Sequence, residues 1–355
     1  MSALTADIIK AERFSRSSKN KHPQRAVHTT ARNSISPEMT QFNDQVAFLF
    51  PGQGSQSVGM GKQLADTYPT AKKIFDQADH VLGIPLSRIA WDGPPDQLND
   101  TLNTQPALFV HSIASLRVLQ EHFASLQPAF VAGHSMGELT ALVSAGSLDF
   151  EAGLNLVRTR GELMKEAGER SPGGMAAIIG IDINLMDEIC SAASHGAEIV
   201  QIANDNCPGQ VVISGSSNAL EQAMASAKKA GARRVVRLAV SIAAHSPLMN
   251  HAQDSFNQAV DAVPLKDPLI PIIGNVNALP LKKDGDIRQD LQAQLNSRVR
   301  WTESVRYMLS GGATNFVEIG NNSVLTGLLK RIDRQSHGFP FGNPDDFEKI
   351  SSISQ

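Results

Sequence analysis

Cysteine is scarce in this chain: Cys190 and Cys207 are the only two among 355 residues. They are not spaced as CxxC and neither has an adjacent histidine, so the sequence predicts no disulfide framework and no zinc site. Two reduced thiols, as in a cytosolic protein, are the favoured interpretation.

Long hydrophobic runs are also missing. No apolar stretch approaches the roughly 20 residues that a membrane-spanning helix requires, and the mean hydropathy is −0.16. With 41% hydrophobic and 19% charged residues, the chain has the composition of an ordinary globular protein with one large domain or two smaller ones. We therefore expect no membrane role.

Acidic residues are few near the N-terminus. The first 42 residues hold seven Lys/Arg and three Asp/Glu, and the whole chain has a net charge of −3, so the remainder carries about −7, which disfavours broad nucleic-acid binding. Residues 1–43 show little apolar periodicity, which predicts a disordered basic extension. An organelle transit peptide has a similar composition, although Asp7 and Glu12 interrupt it. We expect a cytoplasmic protein, or an organellar one if the extension is such a peptide.

Short apolar runs alternate with helical patterns through most of the chain. "QVAFLF" precedes a glycine-rich loop and a helical pattern, and "PAFVAG" leads into a helix that starts near Met136. This alternation predicts a mostly parallel sheet covered on both faces, assigned to residues 44–170 and 241–335. Residues 336–355 are interpreted as a C-terminal tail.

A different rhythm occupies residues 171–240. The runs read strand, helix, strand, strand, helix, strand, which is the βαββαβ order of a ferredoxin-like unit. The α/β pattern resumes afterwards with "PLIPIIGNV" and "TNFVEIG". The sequence therefore predicts an inserted small subdomain.

The pentapeptide "GHSMG", which contains Ser135, fits the G-x-S-x-G pattern of a serine nucleophile. Its glycines permit the sharp strand-to-helix turn that exposes the hydroxyl, although a serine there also caps helices. A serine nucleophile needs a base, usually histidine. Of ten histidines, His245 in "SIAAHSPLM" follows a strand and is the favoured candidate, with a structural role as its alternative.

Two arginines lie on the predicted helix "LNLVRTRGELMKEAG". Arg158 has Glu162 one turn further on, as expected on a solvated face, whereas Arg160 has apolar helical neighbours. A buried cation needs an anionic partner. The spacing leaves two partners open, a buried Asp or Glu and a substrate carboxylate.

Nine motifs follow one another between about Phe48 and Ile332. They are "FPGQGSQ", "TQPALFV", "GHSMGE", "RGELM", "GGMAAIIG", "NCPGQVVISG", "HSPLM", "RVRWTESV" and "VLTGLLKRI". In this order the chain resembles the malonyl-CoA:acyl carrier protein transacylases of bacterial fatty-acid synthesis. The resemblance implies an α/β-hydrolase-like large domain with a mostly parallel sheet and an inserted ferredoxin-like subdomain. It also implies ping-pong transfer of a malonyl group from malonyl-CoA to acyl carrier protein.

The resemblance assigns roles to the candidate residues. Ser135 attacks the thioester with His245 as its base, and Arg160 pairs with the malonyl carboxylate. The main-chain carbonyl of Gln294 orients the histidine. No aspartate between Ser135 and His245 stands in an evident loop after a strand, which favours a dyad over a Ser-His-Asp triad.

The glycine loop "FLFPGQGSQSVGMG" is not a phosphate cradle by pattern. No GK[ST] closes it, and Ser57 stands where the third glycine of G-x-G-x-x-G belongs. The resemblance instead implies an oxyanion hole formed by the N–H groups of Gln53 and Met136.

The resemblance also implies the partners of the chain. These are malonyl-CoA, with free CoA as product, and an acidic acyl carrier protein, without a metal or redox cofactor and with a monomeric enzyme. Two basic segments, Lys228–Arg237 and Lys330–Arg334, are candidates for carrier docking, with ordinary surface charge as the alternative. Met136 and Ala244 depart from common family residues, and the small Ala244 leaves room for a methylmalonyl group.

Three alternative functions remain open. A free-standing acyltransferase of a polyketide synthase would share every candidate residue. A serine hydrolase of acyl-thioesters or esters would not need the cation of Arg160. A non-catalytic carrier-binding module would not need a complete nucleophile apparatus.

Overall fold

The computed structural model describes residues 46–353, in which ten strands form two sheets. The predictions for residues 1–43 lie outside this range. The strands are β1 (Val46–Phe50), β2 (Phe130–Gly133), β3 (Gly173–Ile179), β4 (Val200–Cys207), β5 (Gln210–Ser216), β6 (Arg234–Arg237), β7 (Ile272–Ile273), β8 (Pro280–Leu281), β9 (Asn315–Ile319) and β10 (His337–Phe341).

The helices pack on the faces of these sheets and connect their strands. They are α1 (Lys62–Thr67), α2 (Pro69–Leu82), α3 (Leu86–Asp92), α4 (Pro95–Asn99), α5 (Thr101–His122), α6 (Gly137–Ser144), α7 (Phe150–Arg170), α8 (Ile183–Ala193), α9 (Ser217–Lys229), α10 (Asn250–Ala262), α11 (Asp284–Gln294), α12 (Trp301–Ser310), α13 (Val324–Ile332) and α14 (Phe347–Ser351). No helix within residues 46–353 is long and apolar enough to span a membrane.

The large sheet has the strand order β10-β9-β1-β2-β7-β8, and every neighbouring pair except β7 and β8 is parallel. Its central strand β1 is buried along its whole length, as its continuous apolar run predicts. Successive side chains of a strand point to opposite faces. Accordingly Phe48 and Phe50 join the apolar layer that contains α5, and Leu49 joins the layer on the other face.

The small sheet has the order β4-β5-β3-β6 and is antiparallel throughout. Helices α8 and α9 cover one of its faces with a separate apolar cluster. This sheet confirms the predicted βαββαβ unit, and the large sheet confirms the predicted mostly parallel one.

The segment predicted to be a C-terminal tail is part of the large sheet as far as residue 353. Strand β10 pairs with β9 in parallel register, and α14 follows it. The prediction of a tail was wrong here because "HGFPF" contains Gly338 and Pro340, which weaken the sequence signal of a strand. Proline is tolerated at a sheet edge, and β10 is an edge strand.

Candidate active site

Ser135 lies in the turn between β2 and α6. Its φ of 53° falls in the left-handed region, which non-glycine residues seldom occupy. A Cβ on Gly133 would overlap the main chain of Gly137, so the turn is this tight only because both flanking residues are glycines. The turn places the Ser135 hydroxyl in the cavity between the two sheets.

Asn275 braces this turn, and the sequence analysis did not identify it. Its Oδ1 accepts a hydrogen bond from the Ser135 N–H at 2.7 Å, and its Nδ2 donates to the Gly133 carbonyl at 2.7 Å. Asn275 is buried and lies just after β7. Its position at the carboxyl end of a parallel strand, where sites of such sheets gather, was the available signal.

His245 contacts the serine directly. Its Nε2 lies 2.8 Å from Ser135 Oγ, and its Nδ1 lies 2.9 Å from the Gln294 carbonyl and 3.1 Å from the Ser297 carbonyl. Two main-chain acceptors at Nδ1 require a proton on that nitrogen, which leaves Nε2 free to accept the serine proton. Burial, and next the charge of Arg160, lower the pKa of His245 to about 3, so the ring is neutral at physiological pH.

Arg160 reaches the same hydroxyl from α7. Its side chain is 1% exposed, and Nη2 donates to Ser135 Oγ at 3.1 Å. The guanidinium also donates to the amide oxygens of Gln105 and Gln294, at 2.8 Å and 2.9 Å. Within residues 46–353 it forms no ion pair with an Asp or Glu, and burial lowers its pKa to about 10. Of the two partners left open by the sequence, a directly bound protein carboxylate is not present among these residues.

Gln53 and Met136 line the cavity next to Ser135. Neither main-chain N–H donates a hydrogen bond to any other residue in the part of the chain that the structure describes. The loop that carries Gln53 runs close to the serine turn, since a Cβ on Gly52 would overlap the His134 carbonyl. Asn321 holds this loop from the other side by donating to the Ser55 carbonyl at 2.6 Å.

His134, the histidine of the "GHSMG" motif, points away from the serine. The Nε2 of His134 lies 2.8 Å from Asn206 Oδ1, and its ring packs against Trp301. Burial lowers the pKa of His134. This side chain therefore forms part of the cavity wall rather than an alternative base for Ser135.

The cavity has a volume of about 460 Å³ and lies between the two sheets. Its lining includes Arg160 and the apolar side chains of Met164, Met175 and Ala244. Asn204 and Gln210 of the small sheet give the wall a polar side. The cavity can thus hold a flexible chain with amide groups that ends at the serine.

Comparisons with known proteins agree with this geometry. The acyl transferase domain family matches residues 47–341. A malonyl CoA-acyl carrier protein transacylase of Bacillus subtilis is 42% identical over 304 residues, which is 86% of this chain and 95% of that protein.

Solved structures give the same result. An acyl carrier protein S-malonyltransferase from Vibrio cholerae superposes with a TM-score of 0.83 at 41% identity and covers 86% of this chain and 99% of that one. A malonyl-transacylase solved in complex with a type II PKS acyl-carrier protein gives 0.84 at 39% identity, with 87% and 99% covered.

The fold and the site together define an α/β protein that presents a serine on a strand–turn–helix elbow to a histidine and a buried arginine. This chain belongs to the acyl transferase family, among the malonyl CoA-acyl carrier protein transacylases.

Proposed function

We propose that this chain transfers a malonyl group from malonyl-CoA to the phosphopantetheine thiol of an acyl carrier protein, through a malonyl ester on Ser135. The observation that carries the proposal is the position of Ser135 Oγ, 2.8 Å from His245 Nε2 and 3.1 Å from Arg160 Nη2. A base and a cation that binds no carboxylate directly among residues 46–353 thus meet at one nucleophile. An acyl group attached there places a terminal carboxylate within reach of the guanidinium.

The first half-reaction loads the serine. As His245 Nε2 takes the proton of the Ser135 hydroxyl, Oγ attacks the thioester carbon of malonyl-CoA. The N–H groups of Gln53 and Met136 donate to the oxyanion that forms. The carbon–sulfur bond then breaks, CoA leaves with the proton from His245, and a malonyl-serine ester remains.

The second half-reaction unloads the serine by the same groups. The carrier thiol gives its proton to His245 and its sulfur attacks the ester carbon. The carbon–oxygen bond to Ser135 breaks, and Oγ recovers a proton from the histidine. All protons and the acyl group are accounted for by the two residues and the two thiols, so no metal or redox cofactor enters this scheme.

Arg160 is proposed to select the acyl group. A guanidinium binds a carboxylate through two parallel hydrogen bonds, which a lysine ammonium does not reproduce. In the free enzyme its donors face only neutral oxygens among the described residues. A malonyl carboxylate supplies the missing anion, whereas acetyl-CoA does not.

The carrier protein is proposed to dock near α13. Residues Val324, Leu325 and Leu328 of this helix line the cavity, while Lys330 and Arg331 at its end are exposed. Of the two basic segments predicted for docking, Lys330–Arg334 therefore lies beside the cavity wall. A carrier of polyketide synthesis is a second candidate acceptor, because one structural relative is bound to such a carrier.

Mass spectrometry of the intact protein tests this function. Incubation with malonyl-CoA should add one malonyl group, and later addition of a carrier protein that bears phosphopantetheine should remove it and load the carrier. Ser135→Ala should give no adduct. Arg160→Leu should lower the ratio of malonyl to acetyl loading by at least about tenfold, while Arg158→Leu on the same helix should not.

Release of free malonate without carrier loading would favour the hydrolase instead. No adduct in the unmodified protein would favour a binding module. Carriers of fatty-acid and of polyketide synthesis, offered in parallel, distinguish the two acyltransferase pathways.

A further inference from the structure

A buried carboxyl group lies beneath the serine turn. Glu138, the second residue of α6, is completely buried, and Asp290 of α11, also buried, lies beside it. Neither side chain lines the cavity, so neither can touch a substrate there. Two adjacent carboxyl groups away from solvent need a reason to be retained.

The carboxyl groups of Glu138 and Asp290 lie within hydrogen-bond reach of each other. Asp290 Oδ2 is buried and accepts no hydrogen bond from an N–H or hydroxyl group of residues 46–353. Burial, and next the charge of Asp290 and a hydrogen bond to it, raise the pKa of Glu138 well above its usual range. One proton held between the two groups would give Asp290 Oδ2 a donor and leave the pair with a single negative charge.

Both oxygens of Glu138 also accept hydrogen bonds from groups that support the site. Oε1 accepts from the Asn275 N–H at 3.3 Å, and Oε2 accepts from Nε2 of Gln294. Asn275 is the residue that braces the Ser135 turn. Glu138 therefore accepts hydrogen bonds both from Asn275, next to the serine turn, and from Gln294, next to Arg160.

Two acceptors set the direction of the Gln294 amide, since its Nε2 donates to Glu138 Oε2 and, at 3.2 Å, to the Ser135 carbonyl. With Nε2 directed at Glu138, its Oε1 faces Arg160 and accepts from Nε at 3.2 Å and from Nη2 at 2.9 Å. A reversed amide would direct its NH₂ group at the guanidinium, where two sets of donors would face each other. Because Glu138 accepts from Nε2 of Gln294, the amide oxygen of Gln294 faces the Arg160 guanidinium.

We propose that Glu138 is a positioning residue that aims Arg160 at the acyl carboxylate by fixing the orientation of the Gln294 amide. It acts on the side chain of Gln294, whereas His245 is held by the main-chain carbonyl of the same residue. Glu138 supports recognition of the carboxylate through Gln294, and it supports the serine turn only through the 3.3 Å contact with the Asn275 N–H. The proposal rests on the proposed malonyl transfer, since only an acidic acyl group uses Arg160.

Two substrates separate recognition of the acyl carboxylate from the reactivity of Ser135. Malonyl-serine formation from malonyl-CoA requires Arg160, whereas acetylation of Ser135 by p-nitrophenyl acetate, a neutral ester, requires only the serine, the histidine and the oxyanion donors. Glu138→Met removes both acceptors at similar length. It should raise KM for malonyl-CoA by at least about tenfold, the effect of one lost hydrogen bond to a charged group being of this size, and change p-nitrophenolate release by a smaller factor, because only the 3.3 Å contact with the Asn275 N–H leads to the serine turn.

Asp290→Asn is the matched control. Its amide nitrogen replaces Oδ2 and can donate to Glu138, so the acceptor for Gln294 is kept. Both reactions of this variant should stay within about threefold of the unmodified protein. Gln294→Met also removes the acceptor for Arg160 and the donation to the Ser135 carbonyl, so it should raise KM for malonyl-CoA at least as much as Glu138→Met, and the double variant should be no worse than Gln294→Met alone.

The outcomes distinguish the positioning role of Glu138 from the proposed malonyl transfer. Equal losses with both substrates in Glu138→Met, or an unchanged KM for malonyl-CoA, would overturn the positioning role. So would an Asp290→Asn variant as defective as Glu138→Met. If thermal melting shows that Glu138→Met does not fold, Gln294→Met provides the test. The quantity compared is its loss with malonyl-CoA relative to its loss with the neutral ester. An unmodified protein that reacts with the neutral ester but forms no malonyl adduct would overturn the proposed function and, with it, this inference.

Discussion

At the scale of single residues, both partners of the proposed dyad have unusual backbones. Ser135 has a φ of 53° and His245 a φ of 59°, and such conformations cost about 1–3 kcal/mol each outside glycine. Each turn is held by a distant carboxamide: Asn275 binds the serine turn, and Gln201 Nε2 donates to the His245 carbonyl at 2.7 Å. The short contact between serine and histidine is thus set by the fold before any substrate binds.

The pH dependence of the histidine provides a prediction at this scale. A base must be unprotonated, and burial together with Arg160 lowers the pKa of His245 to about 3. Reaction of Ser135 with p-nitrophenyl acetate should therefore show no fall near pH 6.5, the usual pKa of histidine. Arg160→Met removes a nearby positive charge, so it should raise the pKa of His245 and move the acidic fall in rate to higher pH.

Arg158→Met is the control for this experiment. It removes a charge two residues away whose partner is Glu162, and it should leave the acidic limb in place. Initial rates of p-nitrophenolate release, measured from about pH 3 upward in buffers of constant ionic strength, give the comparison. A fall near pH 6.5 in all three proteins would contradict the assignment.

At the scale of elements, the site depends on the close approach of two turns. The loop between β1 and α1 passes the turn between β2 and α6 so closely that a methyl group at Gly52 has no room beside the His134 carbonyl. Because β1 and β2 are neighbouring parallel strands, their carboxyl ends bring both turns to one edge of the sheet. The strand pairing therefore sets the distance between the two proposed oxyanion donors.

Gly52→Ala tests this packing. The added methyl group must move the loop, which should cost about 1–3 kcal/mol of unfolding free energy and lower kcat for malonyl transfer by at least about 100-fold as the Gln53 N–H leaves its position. Gly285→Ala, where the added methyl group meets open space, should change neither quantity appreciably. Urea denaturation and steady-state kinetics provide the two measurements, and an active Gly52→Ala enzyme would contradict the oxyanion role of this loop.

At the scale of the whole molecule, a buried histidine ties the C-terminal segment to the core. His111 of α5 is fully buried, its Nε2 lies 2.9 Å from the Gly342 carbonyl, and its Nδ1 has no partner among the described residues. Burial lowers the pKa of His111 to about 4. The folded protein therefore holds this ring neutral where an unfolded chain would protonate it.

This linkage predicts a loss of stability in mild acid. The pKa of His111 in the folded state is below the usual 6.5. Its contribution to the unfolding free energy is therefore complete above pH 6.5 and is lost as the pH falls toward 4. Between pH 7.5 and pH 5 the loss from this residue should be about 2 kcal/mol. His111→Gln should lose correspondingly less unfolding free energy over this interval, as measured by urea denaturation, and the exposed His337→Gln should behave like the unmodified protein. Identical pH dependences for His111→Gln and the unmodified protein would contradict this assignment.

The local features of this protein follow from residues that are close together in the chain. The apolar run of β1 predicts a strand buried on both faces, and the glycines around Ser135 permit a sharp turn before a helix. The βαββαβ order of residues 171–240 likewise follows from the periodicity of short segments. These features depend on residues near one another in the chain, so their pattern can be read without the fold.

Contacts between residues far apart in the chain depend on the tertiary fold. Asn275 lies 140 residues from the serine that it braces, and Gln294 lies 134 residues from Arg160. The pairing of Glu138 with Asp290, and the addition of β10 to a sheet that begins with β1, are equally remote in sequence. No periodicity encodes such contacts, because they arise only when parallel strands align their carboxyl ends and helices from separate segments pack behind them.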